Sequence, residues 1–125
     1  MQLRVDVARQ GDVAIVHCGG RIVFGQEVDE LRLTVLSLLK ETNCVVLHLA
    51  GIDQIDSEGL AALVGLFISA HNRSGNLKLT NLSPKCRELL RVTQLDKIFE
   101  TYPSEAEALE SFQHPKAAAG NKKSA

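Results

Sequence analysis

Four side chains able to do chemistry crowd into one short stretch, Ile52-Asp53-Gln54-Ile55-Asp56-Ser57-Glu58-Gly59-Leu60. Asp56 and Ser57 can each accept hydrogen bonds from the free N–H groups at the start of a helix. In that role they would be structural caps and nothing more. Ser57 can also take a phosphoryl group, which would add about −1.5 to −2 charges at neutral pH. A helix N-terminus can accommodate such a charge, while Asp53, Asp56 and Glu58 would gather around it as an anionic patch. Asp53 and Asp56 could instead pair as acid and base, although two carboxylates in one loop are ordinarily solvated.

Other reactive patterns are missing from the sequence. Ser57 does not stand in a Gly-x-Ser-x-Gly elbow. There is neither a Gly-x-x-x-x-Gly-Lys-Ser/Thr loop nor a dinucleotide glycine fingerprint. His17, His48, His71 and His114 form no metal-ligand motif, and His17 and His48, in apolar strands, read as structural residues. Cys18, Cys44 and Cys86 are odd in number and far apart, as expected of reduced thiols in a cytoplasmic protein. No metal, cofactor or catalytic residue is expected. A net charge of −1 makes no case for nucleic acid. Every apolar run is too short to cross a bilayer, and Met1-Gln2-Leu3-Arg4 leads straight into a strand pattern, without the look of a signal peptide.

The motif needs a strand before it and a helix after it. Cys44-Val45-Val46-Leu47-His48-Leu49-Ala50 ends at Gly51 and reads as a buried strand. Leu60, Leu63, Val64, Phe67, Ile68 and His71 recur at helical spacing, predicting a helix over 57–73. Gly59 would leave its first turn open to the close approach of another backbone.

Upstream, Leu3, Val5 and Val7 alternate with polar neighbours, and Val13 to Cys18 form a second apolar run. Gln10-Gly11-Asp12 between them predicts a hairpin, broken off at Gly19-Gly20. Arg21-Ile22-Val23-Phe24-Gly25 reads as an irregular loop that either buries Phe24 or offers it as an apolar contact beside the motif. Val28, Leu31, Val35, Leu38 and Leu39 mark one face of a helix over 26–42, with acidic residues in its first turn.

Downstream, Ser74-Gly75-Asn76 predicts a helix end with Gly75 left-handed. A short strand follows over 77–80. Ser83-Pro84 then opens a helix with Leu89, Leu90 and Val92 on its apolar face. A turn at 94–97, a strand over 98–102 and a helix from Glu105 to near Phe112 complete the domain. The alternation predicts an α/β domain over 1–113. Its mixed sheet has an antiparallel opening hairpin and then parallel β-α crossovers, with helices mainly on one face. Residues 114–125 have no large apolar side chain and read as a disordered tail that folding does not need.

Ile55-Asp56-Ser57-Glu58-Gly59-Leu60, with its strand and helix, resembles the Asp-Ser-x-Gly-Leu signature of STAS domains, the bacterial anti-sigma-factor antagonists and their relatives. In order of elements, the likeness runs from about Leu3 to Phe112. It implies the same mixed sheet and a non-enzymatic protein that binds an anti-sigma factor serine kinase of the GHKL type. It also implies that phosphorylation of Ser57 turns that binding off. The implied contact surface is Asp53, Asp56, Ser57, Glu58, Gly59, Arg21 and Phe24. After Gly20 the chain departs from the pattern: Arg21 and Val23 stand where antagonists of serine-kinase anti-sigma factors often carry an acidic residue. A second reading makes the chain a non-enzymatic STAS subunit of a stressosome-like or lipid-transport ATPase assembly, with Ser57 only structural. A small enzyme is the third. A homodimer is compatible with any of them.

Overall fold

The computed structural model describes residues 3–113; the predicted tail lies outside them. The elements are β1 (Arg4–Gln10), β2 (Val13–Ile22), α1 (Gln26–Leu39), β3 (Cys44–Ile55), α2 (Ser57–Asn72), β4 (Asn76–Thr80), α3 (Pro84–Val92), a 3₁₀ turn (Leu95–Lys97), β5 (Thr101–Tyr102) and α4 (Glu105–Gln113). The sheet order is β1-β2-β3-β4-β5, antiparallel between β1 and β2 and parallel elsewhere. β3 is therefore central, as its apolar run predicts.

Strand alternation divides the core in two. Ala14, Val16, Val45, Leu47, Leu77 and Leu79 face α1, α2 and α3, meeting Leu31, Val35, Leu63, Leu66 and Leu90. Val13, Ile15 and Val46 face the other way and meet Tyr102 and Ala108 under α4. Polar contacts hold α4 as well. His17 Nε2 lies 2.6 Å and His48 Nε2 3.7 Å from the Glu105 carboxylate. The buried Lys78 ammonium donates to Ser111 Oγ at 2.7 Å and pairs with Glu100 at 3.2 Å. Burying a lysine costs heavily unless its charge is paired, so Glu100 and Ser111 are what make this position tolerable.

Several boundaries differ from the sequence reading. Gly19-Gly20 does not break β2. The strand continues to Ile22, with register shifts around the glycines, pairing Gly19 with Gly51 and Ile22 with Ile55. The two backbones come close here: a Cβ on Gly51 would sit 3.1 Å from the Cys18 carbonyl oxygen. β3 accordingly runs through Gly51 to Ile55, well past Ala50. The strand expected over 98–102 is only Thr101–Tyr102. The 26–42 helix stops at Leu39, after which the Thr42 hydroxyl donates to the Asp12 carbonyl and accepts from Cys44 N.

At the end of α2 the left-handed residue is Ser74 (φ 62°), whereas Gly75 has an ordinary φ. Gly75 is needed for space, since a Cβ there would overlap the Asn43 carbonyl oxygen. Val92 is exposed, and Cys86 takes its place in the buried face of α3. In α2, Leu66, Ala62 and Ala70 are buried with Leu63, while Ile68 is exposed.

Two glycines of α2 should respond oppositely to alanine. Gly65 is exposed, and a methyl group there would meet nothing within 4 Å. Gly65→Ala should stabilise the domain by about 0.5–1 kcal/mol through lower unfolded-state entropy. A Cβ on Gly59 would overlap the Ile22 carbonyl oxygen, so Gly59→Ala should destabilise by about 1–3 kcal/mol. Urea unfolding curves at a common slope give both values.

Candidate functional site

The motif forms the end of β3 and the first turn of α2. Ile55 ends the strand and Asp56 is the N-cap, in extended conformation. Asp56 Oδ1 accepts from Gly59 N at 2.8 Å, satisfying one free donor of the first turn. Asp56, and not Ser57, is the cap. Ser57 is the first helical residue and is exposed; its side chain makes no hydrogen bond among the described residues.

The second Asp56 oxygen reaches across to the loop after β2. Oδ2 accepts from Phe24 N at 3.0 Å. Asp56 N in turn donates to the Ile22 carbonyl at 3.4 Å. One aspartate thus ties the start of α2 to the end of β2. Its carboxyl is held below the ordinary value of 3.8, first by the Phe24 N–H, then by Gly59, and to a smaller degree by the N–H groups of Glu58 and of Asp56 itself.

The loop resolves the choice left open for Phe24. The ring does not enter the core; it is 75% exposed, more than any other large apolar side chain described. With its N–H fixed by Asp56 and Gly25 at φ 112°, the turn directs it outward. Arg21 is half-buried in β2 and lies 3.4 Å from Glu27 at the start of α1. An acidic side chain does therefore stand beside this loop, contributed by α1. Gly59 is buried against the carbonyl of Ile22. The backbone that approaches it closely is the chain's own, a correction to the open first turn expected above.

Asp53, Ser57 and Glu58 are all exposed. Asp53 borders a largely apolar groove of about 680 Å³ between β3 and α3, lined also by Ala50, Ile52, Ser83, Pro84 and Leu89. Sequence reasoning missed this groove. Its signal was the Ser83-Pro84 helix start: Ser83 Oγ accepts from Cys86 N at 3.2 Å and donates to the Ile52 carbonyl at 2.8 Å, docking α3 on the extended part of β3. Among the described residues, no group of three or more His, Cys, Asp or Glu could hold a metal ion, and no helix is long and apolar enough to cross a membrane.

Stability measurements distinguish the cap from its neighbour. Ser57→Ala should change stability by no more than about 0.5 kcal/mol, since the exposed hydroxyl supports nothing, while Asp56→Ala should lower Tm clearly. Because the Asp56 pKa is depressed in the fold, its ionised form is the stabilising one. That contribution is complete above 3.8 and disappears as the pH falls through the lower folded-state value. The Tm of Asp56→Asn should therefore fall less steeply than the parent's across this acidic range.

The fold is matched by known proteins. The family model described as STAS domain matches residues 4–108. The anti-sigma-B factor antagonist of Bacillus subtilis (strain 168) is 31% identical over 80% of this chain and 91% of its own length. The anti-sigma F factor antagonist of Paenibacillus polymyxa is 25% identical over 87% of this chain and 94% of its own. A crystal structure of an anti-sigma factor antagonist from Mycobacterium paratuberculosis superposes with a TM-score of 0.76 at 21% identity. It covers 88% of this chain and 93% of that one, a likeness of fold.

Proposed function

The chain belongs to the STAS domain family, and from that premise we propose that it is an anti-sigma-factor antagonist. In this reading the unmodified protein binds an anti-sigma factor of the GHKL serine-kinase type and so frees a sigma factor for transcription in the cytoplasm. Phosphorylation of Ser57 ends the binding. The names of the two relatives support the general role. One observation carries the assignment of the switch: Asp56 caps α2, so Ser57, the next residue, is exposed and its hydroxyl has no structural task.

The physics of the switch is local. Phosphate would add about −1.5 to −2 charges at the first residue of α2. The N-terminal turn can hold this charge, so the fold need not change. The exposed carboxylates of Asp53 and Glu58 and that of Asp56 are its neighbours in the chain. A partner seated over Ser57 would then meet added bulk and a dense negative patch. Arg21, Phe24 and the acidic residues form the rest of the proposed contact surface. Gly59 contributes from beneath, by letting α2 start against β2. No step of this reading needs a metal, a cofactor or catalysis by the chain itself. The reading as a non-enzymatic STAS subunit of a larger assembly predicts instead that Ser57 is never modified.

The test is a pull-down of the full chain with a purified anti-sigma kinase, with and without ATP, followed by mass mapping. Capture without ATP, release with ATP and phosphate on Ser57 are expected. Ser57→Ala should stay bound in ATP. Ser57→Asp should bind more weakly than the parent, but more tightly than the phosphorylated chain because it carries less charge. Phosphate on another residue, or a folded Ser57→Asp that binds like the parent, would discard the switch.

A further inference from the structure

We infer that Asp56 is a positioning residue that presents Phe24 as the apolar anchor for the protein partner, and that negative charge at Ser57 loosens this anchor. The inference rests on the proposed antagonist reading and adds a way in which the same site is regulated.

Phe24 is 75% exposed in a turn, although aromatic side chains of this size usually contribute to a core. Exposed aromatics that sit on fixed backbone are frequent centres of binding energy, because little entropy is lost when they dock. Hydrogen bonds tie down the turn that carries Phe24. The Phe24 N–H donates to Asp56 Oδ2 at 3.0 Å, and the Val28 N–H behind it donates to the Val23 carbonyl at 3.2 Å. The occupant suited to this end of the domain is a protein with an apolar pocket for one aromatic ring. Its rim would be basic, to meet Asp53 and Glu58. The exposed Leu33 of α1 offers no comparable arrangement, since it lies in mid-helix with no tie to the motif.

The coupling follows from the division of labour within one carboxylate. Oδ1 holds Gly59 and Oδ2 holds Phe24. A phosphate on Ser57 would compete for the first-turn N–H groups and repel Asp56 from the adjacent position. The bond least protected by the helix is the one to Phe24, whose acceptor must reach between two elements. Modification would then act twice, by repelling the partner and by freeing the loop that carries the anchor.

Asp56→Asn separates positioning from capping. Asparagine caps helices as well as aspartate does, so one oxygen can keep the Gly59 bond, but its amide nitrogen cannot accept from Phe24 N. The partner is the anti-sigma kinase of the pull-down, with affinities measured by calorimetry without ATP. Phe24→Ala should weaken binding at least about thirty-fold at unchanged Tm, and Leu33→Ala should leave it as it is. Asp56→Asn should weaken binding in the parent but add little in the Phe24→Ala background, the pattern of two residues acting as one. Additive losses would overturn the positioning role, and a Phe24→Ala chain that binds like the parent would overturn the anchor. A partner-independent arm uses the amide exchange of Phe24 in ¹⁵N-labelled full chain. Exchange should speed up with Asp56→Asn and with phosphoserine installed at 57, while Val28 stays protected. An unchanged Phe24 rate would overturn the coupling even where binding is lost. If no anti-sigma factor binds the parent chain, the antagonist reading fails and the partner anchor fails with it; the exchange arm still decides the Asp56 tie on its own.

Discussion

The long parallel pairing of β2 with β3 is the constraint on which the rest of the molecule depends. It begins at Val13 with Cys44 and continues past the glycines to Ile22 with Ile55. Only because β2 reaches Ile22 is there a carbonyl for the Asp56 N–H and a flat backbone surface for Gly59. The start of α2 is therefore seated on β2 as well as joined to β3. The pairing passes through two register shifts, and at Gly51 the strands come so close that a side chain would crowd the Cys18 carbonyl and the Gly19 backbone. A helix start fixed from two sides can present an exposed serine without using the serine to hold itself together.

Much of this was legible in the sequence, and the remainder was hidden for identifiable reasons. The buried face of α1 was readable to the residue, because Val28, Leu31, Val35, Leu38 and Leu39 obey a single period. The seam of α2 was less so: Ala62 and Ala70 are small, and small side chains are weak signals of burial even where two helices approach closely. Gly19-Gly20 looked like a strand break since glycine usually punctuates local structure, but here pairing with β3 overrides that preference. The choice between Asp56 and Ser57 as cap could not be made from residue type, both being good caps. The bond from Phe24 decides nothing locally and depends on a loop thirty-odd positions away in the chain. Long-range ties of this kind leave no periodic trace.

The second face of the sheet solves a different problem. α4 is short, and alone it could not cover the strands beneath it. Its ends are held by contacts that apolar packing would not provide: the Glu105 carboxylate beside His17 and His48 at one end, and Ser111 on the Lys78 ammonium toward the other. Lys78 also lies 4.1 Å from the centre of the Phe112 ring. Its stem and charge thus serve at once as packing and as a polar anchor.

The two outermost strands bear on how the domain behaves in a crowded solution. An uncovered strand edge invites a neighbouring molecule to continue the sheet, which is a route to fibrils. At one side β1 is exposed and carries Arg4, Asp6 and Arg9, so a second copy laid alongside would have to bury charge. At the other side β5 offers only two residues as a template. Open-ended stacking is disfavoured at both margins by different means.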